Sequence, residues 1–357
     1  MCSSNHSEIE IIIGDRKAFN IDSKTSYASR FFDIIEYDGR ECFLLLDHNG
    51  MSIQLFDFES TALVKKINLE IGGPDGVGMP NGLVYKSIDS MYIINSNRYE
   101  VVLINRYGNV QKRINILRNT NPNENTGMFL PHTSSKAILY KKNMYTSVIP
   151  DRNPFDPSFY DGHTQLKIDL KSDSFQYFGN YPNSMRKKIW AIDPFIFYST
   201  QNDDEILFSY SVDDYLMIYN IEEDKYDKVL AISKFSPKSF VSFNESNNGD
   251  PTQFSISTLL YGPIIWDPYR KLYYRMVQSG ISPKRDDGTP NTYYDKPLSI
   301  IVLNEDKEKL GEVELPFDTF LPRAFLISKT GFYLSDMHPD NPMFDDDFTS
   351  FVKLDFE

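Results

Sequence analysis

The hydrophobic residues of this chain recur in short runs rather than at helical spacing. Runs of about four to eight residues rich in Ile, Val, Leu, Phe and Tyr alternate with turns of Gly, Asn, Asp and Pro. The clearest example is residues 82–116, which divide into GLVYK, SMYIINS, EVVLINR and VQKRINI. This pattern is typical of antiparallel strands, so the sequence predicts an all-β protein.

The same cadence repeats along the chain. Four short antiparallel strands form one blade of a β-propeller. The predicted blades cover residues 27–70, 80–117, 131–180, 193–232, 262–315 and 322–357. The last unit supplies three strands, and residues 9–20 offer a fourth. We therefore predict a six-bladed β-propeller over residues 9–357, in which the N-terminal strand pairs with the last blade and closes the ring. Two packed β-sandwiches are the alternative, because strand spacing does not separate the two architectures.

Composition narrows the class of partner. The net charge of −13 argues against nucleic acid, which requires clustered Lys and Arg. Apolar residues make up 41 % of the chain, yet no run approaches the length of a membrane span. Membrane attachment is therefore expected only through a covalent anchor.

The N-terminus, MCSSNHSE, offers such an anchor. Cys2 is followed by small polar residues, and residues 1–8 are expected to form a flexible tether. This arrangement resembles the start of a mature bacterial lipoprotein, in which Met1 replaces a removed signal peptide. The other cysteine, Cys42, lies in the apolar run ECFLLLD and is expected to pack in a strand.

Together with the six blades, this start resembles the uncharacterised Bacteroidales six-bladed propeller lipoproteins, a domain-of-unknown-function family. The resemblance implies that Cys2 carries the lipid and that the protein is anchored at the bacterial cell envelope, on the periplasmic side or at the cell surface. The alternative is that Met1 is the true start, which would make the chain a cytosolic scaffold.

Local sequence motifs for nucleotide or metal binding are not found. The segment GGPDGVGMPNG at 72–82 lacks the Gly-Lys-Ser/Thr ending of a phosphate-binding loop. The run DDD at 345–347 lacks the spacing of a calcium loop, and none of the five histidines forms the zinc motif H-E-x-x-H. No cofactor is predicted, with a divalent metal as an open alternative.

The propeller geometry predicts a site more directly. The first strand of each blade lines the central channel, so the residues leading into these strands should meet at one mouth. The expected ligand-binding set is Arg30, Asn81, His132, Asp193, Tyr261 and Arg323. Two arginines in this set suit an anionic or carbohydrate-like ligand. A purely structural role in a wet channel is the alternative.

Besides the cytosolic scaffold, the sequence leaves two functions open. The first is a non-enzymatic, lipid-anchored binding or scaffold protein. Its partner would be an envelope protein or the anionic or carbohydrate-like ligand of the channel mouth. The second is an envelope hydrolase or lyase that uses His132 and Asp193 as an acid–base pair with the channel arginines. Tyrosines in the loops at 151–163 and 280–297 are further candidates for partner contacts.

Overall fold

Short strands joined by tight turns dominate the computed structural model, which describes residues 9–27, 29, 31–116, 127–191, 197–246 and 249–357. Within these ranges the strands form six antiparallel sheets arranged as the blades of a propeller. The predicted six-bladed β-propeller is therefore confirmed.

The strands follow one another blade by blade. The N-terminal strand is β1 (Ile11–Asn20). Blade 1 comprises β2 (Phe32–Tyr37), β3 (Arg40–Asp47), β4 (Ser52–Asp57) and β5 (Leu63–Asn68). Blade 2 comprises β6 (Gly82–Ser87), β7 (Ser90–Asn95), β8 (Glu100–Ile104) and β9 (Val110–Asn115). Blade 3 comprises β10 (Gly127–Phe129), β11 (Ile138–Tyr140), β12 (Asn143–Pro150), β13 (His163–Asp169) and β14 (Phe175–Asn180).

The second half of the ring is built in the same way. Blade 4 comprises β15 (Phe197–Asn202), β16 (Glu205–Tyr210), β17 (Tyr215–Asn220) and β18 (Lys225–Leu230). Blade 5 comprises β19 (Leu260–Asp267), β20 (Leu272–Gln278), β21 (Leu298–Asn304) and β22 (Lys309–Glu314). Blade 6 comprises β23 (Phe325–Ser328), β24 (Gly331–Ser335) and β25 (Phe348–Phe356), with β1 as its fourth, outer strand.

The N-terminal strand closes the ring as predicted. Strand β1 is antiparallel to β25, with Ile11 opposite Phe356 and Asn20 opposite Phe348. This pairing makes the sixth sheet four-stranded and covers the edge of β25.

The core is divided among the gaps between blades. Strands such as β3 are buried along nearly their whole length, because both faces of a blade pack against neighbours. Six hydrophobic clusters of described residues join adjacent blades. The cluster between blades 6 and 1 contains Phe19 stacked on Phe43, with ring centroids 4.3 Å apart. Cys42 is fully buried as expected, and burial raises the pKa of its thiol to about 11.

The two ends of the propeller differ. We call the end at which the innermost strands begin the loop face, and the opposite end the hairpin face. The loop face carries the connections between blades and the long segments at 279–297 and 336–347. Because strands alternate in direction within a blade, β1 begins at the hairpin face and ends at the loop face.

Turns and helices complete the chain. Gly108, in the turn between β8 and β9, has φ +83°, and a Cβ there would lie 2.6 Å from the Asn68 carbonyl oxygen. Helix α1 (Pro251–Ser257), capped by Asp250, was not expected from the sequence. Short 3₁₀ helices lie at Ser96–Arg98 and Pro157–Asp161. Among the described residues, no helix is both long and apolar enough to span a membrane.

Candidate binding site in the axial channel

A cavity of about 480 Å³ lies on the axis of the propeller. Its lining includes residues of the innermost strand of every blade, namely β2, β6, β11, β15, β19 and β23. It extends to Tyr269 in the β19–β20 hairpin, so its mouth lies on the hairpin face. A cavity of this size is within the range of small-molecule sites.

The cavity is crossed by part of blade 3. Strands β10 and β11 pair with opposite ends of β12, and residues 130–137 between them leave the sheet. We call residues 130–137 the axial segment. The Thr133 hydroxyl accepts a hydrogen bond from the Phe32 backbone N–H of blade 1 at 3.0 Å, and Ser135 forms a parallel bridge with Ser199 of blade 4. The axial segment therefore ties three blades together across the channel.

One ion pair lies in the cavity wall. Lys136 of the axial segment donates from Nζ to Asp33 Oδ1 of blade 1 at 2.5 Å. Each side chain is 32 % exposed, so the pair is within reach of a molecule entering the cavity. These are the two charged residues among the described lining, and their charges cancel.

Beside this ion pair, three serine hydroxyls form a buried cluster. Ser135 Oγ lies 2.7 Å from Ser147 Oγ and 3.0 Å from Ser199 Oγ. Gln165 donates to Ser147 Oγ at 3.4 Å. The neighbours of the Ser199 hydroxyl are thus other hydroxyls rather than a base, an arrangement that fixes the hydroxyl without activating it.

Aliphatic side chains, such as Ile34, Ile138 and Ile265, and aromatic side chains form the other part of the wall. Trp266 and Tyr269 come from blade 5, and Tyr85 comes from blade 2. The Trp266 ring packs on Tyr273 with centroids 4.4 Å apart, which fixes its plane. Burial raises the pKa of Tyr85 and of Tyr269, so both phenols remain protonated donors at neutral pH.

The residues predicted for the loop-face mouth are placed less uniformly. Arg30 and Asp193 of this set lie outside the described residues, as does Cys2, the predicted lipidation site. The other four residues, Asn81, His132, Tyr261 and Arg323, do not line the axial cavity. Their roles in ligand binding stay predictions.

Three of these four lie on the loop face. The Asn81 side chain accepts from the Ser96 backbone N–H at 2.8 Å and so orders the 3₁₀ helix of blade 2. His132 Nδ1 lies 2.7 Å from Ser134 Oγ within the axial segment. The Arg323 guanidinium lies over the Tyr293 ring, 5.2 Å from its centroid.

Tyr261 instead lies between blades 4 and 5. It is fully buried, and its hydroxyl donates to Asp214 Oδ1 at 2.6 Å and accepts from the Ser233 backbone N–H. The guanidinium of Arg275 lies 3.6 Å from the centre of its ring. Although burial lowers the pKa of Arg275 to about 10, the guanidinium stays charged at neutral pH. These contacts tie the two blades together and hold Tyr261 away from the axial cavity.

Sequence reasoning missed the residues that do line the cavity. Asp33, Lys136 and Gln201 lie in or just before the innermost strands rather than in the loops that lead into them. Their signal was a polar residue that interrupts or borders an apolar run, as in RFFDII and SSKAILY. The prediction used the residues that lead into these strands, which lie at a different level of the channel from this cavity.

A trio of potential metal ligands lies elsewhere, on the loop face of blade 6. Asp318, His338 and Asp340 place their ligand atoms within 4.8 Å of one another. His338 Nδ1 accepts from the Asp340 backbone N–H at 3.1 Å, and Nε2 donates to the Tyr294 carbonyl at 3.1 Å. Both imidazole nitrogens are therefore engaged, which leaves two exposed carboxylates as an incomplete donor set.

Comparison with known proteins places the chain in a family. A family model described as a domain of unknown function (DUF4221) matches residues 7–314. A solved structure of a DUF4221 member from Bacteroides vulgatus is similar over 99 % of both chains, with 20 % identity and a TM-score of 0.84. None of the curated protein sequences matches the chain.

Two further structures are similar at lower sequence identity. A Bacteroides fragilis protein provisionally named as exported has 12 % identity and a TM-score of 0.58, over 99 % of this chain and 96 % of its own. Virginiamycin B lyase from Staphylococcus aureus has 10 % identity and a TM-score of 0.46, over 97 % and 99 %. The expected resemblance to a propeller family of unknown function is confirmed by the family match.

Proposed function

The chain belongs to the DUF4221 family, and we propose that it is a binding protein whose axial cavity holds a small, neutral, carbohydrate-like ligand. The observation that carries this proposal is the composition of the cavity wall. The aromatic side chains of Trp266 and Tyr269 lie beside hydrogen-bonding groups from Gln201 and the Asp33–Lys136 pair. Sugar rings present apolar C–H faces and many hydroxyls, so they match a wall of both kinds.

The charges of the wall narrow the ligand class. Because Asp33 neutralises Lys136, the described lining carries no net charge. A strongly anionic ligand would have to compete with Asp33 for the lysine, whereas a hydroxyl can accept from Lys136 and donate to Asp33 at once. Of the two ligand classes expected from the sequence, the uncharged wall therefore favours a carbohydrate-like ligand over an anionic one.

The same contacts favour binding over catalysis. The hydroxyl of Ser199 faces other serine hydroxyls, and the lysine of the wall is held by a carboxylate. Neither group is set up as an activated nucleophile.

Tryptophan fluorescence offers a direct test. The chain has two tryptophans, and Trp190 is buried away from the cavity while Trp266 lines it. A Trp190→Phe variant therefore reports on the cavity alone. We expect saturable changes when glucose, galactose or N-acetylglucosamine is titrated, and weaker or no changes with glucuronate.

Calorimetry measures sugar binding without using Trp266 fluorescence, so it can also be applied to variants that lack this tryptophan. Lys136→Met and Trp266→Phe should each weaken sugar binding about tenfold or more, which corresponds to the loss of about 1.4 kcal/mol. Lys142→Met, on an exposed turn of the same blade, is the matched control and should bind as the parent does. Equal affinity of Lys136→Met and the parent, or no heat with any of these sugars, would contradict the proposal.

We further propose that the protein acts outside the cytoplasm, attached to the cell envelope through a lipid on Cys2. The polar residues after Cys2 support this, as does the similar fold of the provisionally exported Bacteroides fragilis protein. Cells fed an alkyne-labelled fatty acid should transfer the label to the wild-type protein but not to a Cys2→Ser variant. Equal labelling of the two, or labelling of neither, would contradict an anchor at this residue.

A further inference from the structure

Large apolar side chains are exposed unevenly on the two faces. On the hairpin face, the described connections expose Tyr107 and Tyr269. On the loop face such residues are more numerous, and four belong to neighbouring loops around blade 6. Contiguous exposed apolar groups are the usual mark of an interaction surface.

We define these four residues as the sixth-blade patch. They are exposed aromatic or sulfur-containing side chains, namely Tyr27 (43 % exposed), Tyr294 (48 %), Phe317 (68 %) and Met343 (60 %). Three contacts join their loops. Asn341 Nδ2 donates to the Thr319 carbonyl at 3.4 Å, His338 Nε2 to the Tyr294 carbonyl at 3.1 Å, and the Tyr27 ring lies 5.5 Å from that of Phe344.

The loop at the centre of this patch is held in a single shape. Arg16 donates to the Met343 carbonyl at 3.1 Å, and the buried Asn341 side chain accepts from the Met343 backbone N–H at 2.9 Å. Asn341 also donates to the Asp336 carbonyl at 2.7 Å. A fixed surface loses little conformational entropy when it binds, which favours its use in recognition.

The loop that carries Met343 is acidic, although the exposed guanidinium of Arg285 in the neighbouring loop interacts electrostatically with Asp340. Residues 335–348 contain five aspartates and neither lysine nor arginine. Asp336 is paired with Arg16. The remaining members, Asp340 and the run at 345–347, are exposed together with Asp318 and form no salt bridge with any described residue. A partner that covers the apolar side chains must therefore supply positive charge around them.

We propose that the sixth-blade patch docks a basic amphipathic segment of a partner protein. Apolar side chains of that segment cover Phe317 and Met343, and its lysines or arginines face the surrounding aspartates. This surface lies on the loop face, whereas the axial cavity opens on the hairpin face. The inference is therefore independent of the carbohydrate proposal.

The test uses the full chain and a fluorescent amphipathic peptide composed of Leu and Lys, followed by anisotropy. Two further peptides separate the contributions of charge and apolar contact: one replaces Lys with Glu, and the other replaces Leu with Ser. We expect saturable binding of the Leu/Lys peptide alone, weakened by added salt because exposed charges are screened.

Variants locate the binding surface. Phe317→Ser with Met343→Ser removes the apolar contacts, and Asp345→Asn with Asp346→Asn and Asp347→Asn removes the charge. Each set should weaken peptide binding about tenfold or more. Tyr107→Ser, on the hairpin face, is the matched control, because it removes a side chain that is 76 % exposed.

Three outcomes would overturn the proposal. They are undiminished binding by the Phe317/Met343 variant, equal binding of the Leu/Glu peptide, and no binding of the Leu/Lys peptide by the wild-type chain. Sugar titrations of the same variants, followed through Trp266, should be unchanged. A variant that also lost the cooperative thermal unfolding of the wild-type chain would show misfolding rather than loss of the surface.

Discussion

Arg16 of strand β1 donates from Nε to Asp336 Oδ2 of the β24–β25 loop at 2.6 Å, although the two residues are 320 positions apart. The Asp336 side chain is 3 % exposed, and its other oxygen accepts from Ser350 Oγ at 2.5 Å. This contact locks the N-terminal strand onto the last blade, in addition to the backbone pairing of β1 with β25.

Arg16→Ala should therefore loosen the closure of the ring. It leaves a buried carboxylate without its cation, which costs about 3 kcal/mol of unfolding free energy. Urea denaturation measures the change. The matched control is Lys329→Ala, which removes an exposed 3.6 Å pair with Glu36 that also joins blade 6 to blade 1, and which should cost less than about 1 kcal/mol. Equal losses in the two variants would contradict this account.

Arg275 should be irreplaceable by lysine. Its guanidinium donates to the carbonyls of Asp213 at 2.6 Å and Ala231 at 2.8 Å, and to Ser209 Oγ at 3.0 Å. A lysine cannot reach these acceptors at once, so Arg275→Lys should lower the unfolding free energy by about 3 kcal/mol. Tyr261→Phe keeps the ring beneath the guanidinium and should cost only about 1 kcal/mol. Near-native stability of Arg275→Lys in thermal denaturation would show that these hydrogen bonds do not stabilise the contact between blades 4 and 5.

Gly82, where blade 2 meets the axial segment, should tolerate no side chain. A Cβ there would lie 2.5 Å from Pro131 Cγ, so Gly82→Ala should destabilise the fold by about 1–3 kcal/mol. A Cβ at Gly72 would meet nothing within 4 Å, so Gly72→Ala serves as the control and should change stability little. Denaturation midpoints measure the difference. If both variants had the midpoint of the parent, the prediction would be wrong.

Lys296 gives the fold a distinct pH dependence. It is 3 % exposed and donates from Nζ to the carbonyls of Ser255 and Thr258, each at 2.8 Å, at the end of α1. Burial, with a smaller contribution from the charge of Arg323, lowers its pKa from the ordinary 10.5 to about 7. Between these pH values the unfolded chain binds more protons than the folded chain, so the contribution of Lys296 to stability rises with pH. Its destabilising effect is complete below about pH 7.

A Lys296→Met variant isolates this effect. The unfolding free energy of the parent, minus that of the variant, should rise from about pH 7 upward by no more than about 1.4 kcal/mol per pH unit. Parallel profiles for the parent and Lys296→Met would show that the buried amine does not titrate in this window.

The fold was predictable because each propeller strand is a short apolar run bounded by turn residues, a pattern that is visible in the local sequence. The GLVYK and SMYIINS runs correspond to β6 and β7, and the surplus strand at the N-terminus implied the closure with β25. Helix α1 was missed because its signal is only seven residues long, with a proline that is also typical of turns.

The site was harder to predict because it depends on a departure from the repeat. The motif P-H-T in the axial segment resembles P-N-G and P-R-A in other blades, which indicated an equivalent loop. In the structure, the residues after His132 leave the sheet and cross the axis, so Thr133 reaches Phe32 of blade 1. The repeat pattern of the sequence does not indicate that the axial segment leaves the sheet. Because it does so, Lys136 becomes part of the cavity wall.

The direction of strand β1 gives the molecule an orientation. An anchor at Cys2, as proposed, would be joined to Ile9 by a spacer that reaches at most about 25 Å when fully extended, because Glu10 already pairs with Glu357. Since β1 starts on the hairpin face, this face would be turned toward the lipid bilayer and the loop face away from it. The axial cavity would then receive its ligand from the gap next to the membrane, while the sixth-blade patch would meet partners approaching from the far side.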